Sequence, residues 1–219
     1  MGYLRFILAI SVVTAHNGPI LGSSFVGGQM AVESFFIISG FYMALILNRK
    51  YHNIQHSYRT FIVNRFLRIY PAYWAVLILT VLISLCWFRI GINSELNLYQ
   101  RYLNQMHLSS LIFLIFSQVV LFGQDLVLFL ALNLKTGSLF LTNNFLQTSP
   151  PLFTFMFVPQ AWTLALELMF YLLAPFLVRL NLKMLSLIIF ISLILRLYLY
   201  ANGLNHEPWT YRFFPTEII

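Results

Sequence analysis

Pro71-Ala72-Tyr73-Trp74-Ala75-Val76-Leu77-Ile78-Leu79-Thr80-Val81-Leu82-Ile83-Ser84-Leu85-Cys86-Trp87-Phe88 carries no charged side chain. A run of that length and apolarity is what an α-helix needs to cross the hydrocarbon of a bilayer. Immediately before it stand Arg49, Lys50, Arg59, Arg65 and Arg68, with no acid among them. Basic residues flanking a membrane span mark its cytoplasmic side. This run therefore enters the membrane from the cytoplasm, behind a basic loop at 49–68.

Other runs follow the same pattern. Working outward, apolar stretches at 3–21 and 31–47 precede the loop, joined by a turn at Gly27-Gly28, and stretches at 162–180 and 184–201 lie downstream. A retained first span explains the N-terminal run, because no A-x-A cleavage pattern follows it. With the 49–68 loop inside, the N-terminus is also inside and the Gly27-Gly28 turn outside. Arg179 and Lys183 place the end of the 162–180 span inside as well. The third span then ends outside and the 162–180 span begins outside, so an even number of crossings separates them. Either part of 108–160 is re-entrant, or the segment crosses and returns; we expect the crossing and return. The fold class expected is all-α, a polytopic transmembrane helix bundle with about six to seven spans in one integral domain over 1–219.

Composition agrees. Hydrophobic residues make up 60% of the 219 positions, charged residues 9%, and the mean hydropathy is +0.80. A soluble chain carries charge on about a quarter of its positions, so this one lacks the polar surface to cover a globule in water. The net charge of +7 sits mainly at the ends of apolar runs, where topology explains it, and no stretch resembles a reader of phosphate or bases. We expect no nucleic-acid partner. The single cysteine, Cys86, precludes an internal disulfide, and no Cys/His cluster has the spacing of a metal site.

Ionisable residues inside apolar runs are costly and therefore informative. Arg5 and His16 are three helical turns apart and project from one face, about 16 Å apart along the axis. Glu33 opens the second span from the outer side, so the two can meet in the outer half of the bilayer. A hydrogen bond closing the hairpin accounts for such a pair; so does a general base oriented by a carboxylate. Arg65 and Arg68 share a helical face. They suit either lipid headgroups or an anionic ligand gripped by guanidinium forks. Glu167 lies within the 162–180 run with Thr163 and Tyr171 on its face, and it needs a polar partner or a wet cavity. Arg196, in the last run, is a candidate partner for a buried acid.

Four blocks carry a resemblance. They are the opening span from Leu4-Arg5-Phe6 to Thr14-Ala15-His16, then Gly28-Gln29-Met30-Ala31-Val32-Glu33-Ser34-Phe35-Phe36-Ile37-Ile38-Ser39-Gly40-Phe41, then Asn64-Arg65-Phe66-Leu67-Arg68-Ile69-Tyr70-Pro71-Ala72-Tyr73, and finally Gln160-Ala161-Trp162-Thr163-Leu164-Ala165-Leu166-Glu167 with Phe170-Tyr171 and Pro175. In content and order the chain resembles the acyltransferase-3 membrane proteins. The resemblance implies O-acylation, usually O-acetylation, of an envelope polysaccharide or oligosaccharide at the bacterial inner membrane. Acetyl-CoA is the implied co-substrate, with no bound cofactor. By position it implies His16, Glu33 and Glu167 as catalytic residues, Arg5, Arg65 and Arg68 as donor-binding residues, and Trp162 and Tyr171 as substrate-binding residues. Glu33 stands where aspartate is commoner. The family fold has roughly ten spans, so the chain is expected to be C-terminally truncated, with 211–215 leading toward a further span. A transporter or flippase, and an inactive remnant of the enzyme, are the alternative readings.

Overall fold

A computed structural model of the protein describes residues 2–19, 22–23, 25–51 and 57–217. Its α-helices are α1 (Gly2–Asn17), α2 (Gly28–Lys50), α3 (Ser57–Arg89), α4 (Glu95–Tyr102), α5 (Leu108–Val120), α6 (Trp162–Leu177), α7 (Leu182–Ala201) and α8 (Phe214–Glu217). Short strands β1 (Leu130–Leu132) and β2 (Leu139–Leu141) pair antiparallel, with Leu130 opposite Leu141. The expected all-α helix bundle is what forms.

The number of long spans is smaller than expected. Among the described residues, four helices are long and apolar enough to cross a membrane: α2, α3, α6 with the turn before it, and α7. Helix α1 has 16 residues, a rise of about 24 Å, which falls short of the ~30 Å hydrocarbon thickness. The crossing and return expected in 108–160 does not occur. Helix α5 has only 13 residues and stops where Leu121 adopts φ 69° and Gly123 φ 79°. The chain then continues as single 3₁₀ turns and the β-hairpin. Prolines 150, 151 and 159 keep this stretch out of a continuous helix. A second correction concerns the 49–68 loop. Residues from Ser57 onward belong to α3, and Pro71 lies inside that 33-residue helix instead of opening it.

Contacts fix the direction of each helix. A Cβ on Gly28 would stand 2.9 Å from Ala15 Cβ, whereas Arg5 meets Ser39 and Tyr42, so α1 and α2 are antiparallel. Val32 packs with Trp162, and Gly40 faces Phe170, so α2 and α6 run in parallel. Phe61 meets Tyr171 and Tyr58 meets Phe176, which makes α3 antiparallel to α6. Arg49, Lys50, Arg59, Arg179 and Lys183 consequently gather at one end of the bundle.

The segment between α3 and α6 caps the opposite end. Its apolar centre is Leu114, Val127, Leu132, Leu152, Phe155 and Met156. The last four carbonyls of α5 have no partner within their own helix, and α3 supplies one for three of them. Tyr70 donates to Val120 O, Tyr73 to Gln118 O, and Trp74 Nε1 to Val119 O at 2.9 Å.

Candidate functional site

Helices α1, α2, α3 and α6 enclose a cavity of about 1140 Å³. Its walls are largely apolar, from Ala9 and Val12 on α1, Val32, Phe35 and Met43 on α2, and Ile69, Ala72 and Val76 on α3. Six of the eight residues singled out in the sequence line it: Arg5, His16, Arg68, Trp162, Glu167 and Tyr171. The cavity follows the bundle axis, since Arg5 and His16 are separated by three turns of the same helix.

Cations mark the half nearer the basic end. Arg5 donates from Nη2 to Ser39 Oγ at 3.4 Å, and its guanidinium lies 5.1 Å from the Tyr42 ring centre. Arg68 is exposed on the cavity wall. Arg65 is not beside it on that wall: three residues earlier, it is buried between the rings of Phe61 (5.2 Å) and Tyr171 (5.7 Å). Among the described residues its Nε has no hydrogen-bond acceptor, and the same is true of Arg5 Nε. Tyr171 donates its hydroxyl to Glu167. Glu167 also borders a recess of about 180 Å³ with Phe36, Gly40, Phe170 and Glu217.

The other half is polar without excess charge. His16 is the penultimate residue of α1, exposed to the cavity, and among the described residues no hydrogen bond engages its imidazole. Glu33 does not reach it. The carboxylate accepts from Gln29 Nε2 at 2.9 Å, and it is Gln29 that lines the cavity alongside His16. Trp162 is 6% exposed, with the Arg212 guanidinium 4.7 Å from its ring. The indole is thus a platform for an arginine.

Glu207, Tyr211 and Arg212 line the cavity too and were not singled out in the sequence. Arg212 Nη2 pairs with Glu207 Oε2 at 2.8 Å, and the Tyr211 hydroxyl donates to Glu207 Oε1 at 2.6 Å. Burial raises the pKa of that hydroxyl and keeps it protonated. The one available signal was an arginine set inside an aromatic run, Trp209 to Phe214. Arg196 does find an acid, Glu217, at 2.8 Å.

The family model described as an acyltransferase domain, acyltransferase-3, matches residues 1–216. A curated protein of Rhizobium radiobacter, "Protein 2 in picA locus", is 27% identical over 94 residues, which is 43% of this chain and 49% of that protein. The match therefore spans about half the length of that relative. No solved structure matches the chain.

Proposed function

We propose that this chain, which belongs to the acyltransferase-3 family, is a membrane O-acyltransferase that moves an acetyl group from acetyl-CoA to a hydroxyl of an envelope polysaccharide or oligosaccharide. The observation that carries this reading is a cavity with Arg5 and Arg68 toward one end and His16 toward the other. Guanidinium groups suit the phosphates of a CoA thioester, and of the three arginines expected to hold the donor, Arg5 and Arg68 reach the cavity. The basic end of the bundle is the cytoplasmic end, as the positive-inside bias requires. The protein lies in the inner membrane with its N-terminus in the cytoplasm.

In this reaction a sugar hydroxyl attacks the thioester carbonyl, and His16 accepts its proton as the new C–O bond forms. Collapse of the tetrahedral intermediate breaks the C–S bond, and the proton passes from His16 to the departing thiolate. The products are the O-acetyl sugar and free CoA. An imidazole suits the task because its ordinary pKa lies near neutral pH, and a positioned base of this kind contributes about 10²–10⁴-fold. The apolar walls keep water from competing for the thioester.

Membranes containing the chain, supplied with labelled acetyl-CoA and envelope saccharide, should yield acetylated saccharide. His16→Ala should lose the product while inserting at normal levels. Transfer that survives His16→Ala would move the base elsewhere, with Glu167 the next residue to test. Absence of transfer by the unaltered chain, together with flux of a solute through it, would favour the transporter reading.

A further inference from the structure

The segment that follows α7 puts three side chains into the cavity, and together they make a fork of paired donors and acceptors. Arg212 is held from several sides: its Nη2 meets Glu207 Oε2 and the Tyr211 hydroxyl, each at 2.8 Å, and its guanidinium lies over Trp162 at 4.7 Å and Tyr211 at 5.1 Å. Trp209 Nε1 donates to Asn143 O at 2.9 Å and pins the segment to the capping unit. The clamp therefore has a fixed orientation.

Its hydrogen-bonding capacity is not used up. A guanidinium carries five N–H donors and a carboxylate about four lone-pair sites. The Arg212 side chain is 16% exposed and that of Glu207 37%, so part of each stays open to the cavity. We infer that Glu207 and Arg212 form a subsite that grips a vicinal diol of the acceptor sugar, an inference that rests on the acyltransferase reading of the cavity. One hydroxyl of such a diol donates to the carboxylate and its neighbour accepts from the guanidinium. The ion pair has no net charge, so the subsite selects a neutral diol over a second anion; Arg5 and Arg68 are at the cavity's other end. Position fits as well. Val12 packs against the cluster holding Trp162 and Tyr211, and it lies one turn, about 6 Å, below His16 on α1. A sugar held at the clamp has its next hydroxyls at the level of the base.

The test is binding without catalysis. The full chain in lipid nanodiscs is titrated with methyl pyranosides bearing a vicinal diol and with their deoxy counterparts, followed by saturation-transfer NMR. The diol glycosides should bind about tenfold or more tightly than the deoxy ones, the scale of losing one charge-assisted hydrogen bond. Glu207→Gln and Arg212→Lys should each erase that difference while acetyl-CoA binding, measured in the same nanodiscs, stays unchanged and reports an intact fold. Equal binding of diol and deoxy glycosides, no glycoside binding, or a preference that survives both variants overturns the inference. Because no donor is present, a chain that binds diols yet transfers no acetyl group refutes the enzymatic reading and leaves the subsite standing.

Discussion

Gln29 Nε2 donates to the Glu33 carboxylate at 2.9 Å, so the acid nearest the outer end of α2 orients a cavity amide and not the imidazole of His16. Under the proposed reaction, Glu33 is expected to act at one remove. Glu33→Gln keeps an acceptor for Gln29, and its effect on kcat should stay below about tenfold, set beside the 10²–10⁴-fold expected for losing a general base. Initial rates of acetyl transfer at matched membrane content compare the two variants. A loss in Glu33→Gln as deep as that in His16→Ala would place the carboxylate in direct contact with the base during turnover.

Arg65 and Arg68 share a helical stripe yet have different surroundings. Arg68 is exposed on the cavity wall, so Arg68→Ala should raise the KM for acetyl-CoA at unchanged thermal stability. Arg65 is sandwiched between Phe61 and Tyr171 and buried, so Arg65→Ala should lower the unfolding temperature. Arg65→Lys keeps the charge but loses the flat stacking surface and should recover only part of that stability. Thermal unfolding in detergent, run beside donor titration, separates the two positions. Equal effects of both alanine variants on KM alone would contradict the division.

Asp125 gives the fold of the capping unit a pH dependence. The residue is 4% exposed and among the described residues Oδ1 has no hydrogen-bond partner; burial raises its pKa above the ordinary carboxylate value. The folded chain therefore holds a proton that the unfolded chain releases from about pH 4 upward. Stability falls as pH rises through that window and levels off above the folded pKa. Asp125→Asn removes the titration. The variant should unfold at a higher temperature than the wild type at pH 7, and the gap should close at pH 4. A gap of the same size at both values would mean that the carboxyl stays charged in the fold.

What the sequence disclosed follows from where its signals are unambiguous. Charges inside apolar runs are costly, so Arg5, His16 and Glu167 were legible, and the folded chain brings them to one cavity. Helices α2, α6 and α7 were legible because each is a long apolar run. The start of α3 was not. Residues 57–70 carry three arginines and lack the apolarity of a span, and a proline at 71 suits a first helical turn, although here it costs a single bond in a long helix. The stretch 108–160 misled because apolarity alone does not separate a crossing helix from buried irregular backbone; the positive φ of Leu121 and the interrupting prolines decide it. Glu207 and Arg212 were hidden for another reason, since they meet through the turn that follows α7 and not through any helical spacing.

The orientation of the bundle is the last expectation, and the helix directions make it testable at both ends. Arg49, Lys50, Arg59, Arg179 and Lys183 belong to one end because α2 and α6 run toward it and α3 and α7 start from it. The capping unit, including Lys135 in the turn between β1 and β2, lies between the far end of α3 and the start of α6. With the basic end in the cytoplasm, reporter fusions or cysteine labelling at Lys50 and Lys183 should report the cytoplasm, and those at Lys135 the periplasm. Met1 and residues 52–56 lie outside the described residues, so Lys50 serves for that loop. Under the proposed reaction, the same orientation places Arg5 and Arg68 toward the cytoplasmic donor, and His16 and the Glu207–Arg212 pair toward the acceptor. A cytoplasmic signal at Lys135 together with a periplasmic one at Lys50 would invert the bundle and put the donor-facing arginines on the wrong side of the membrane.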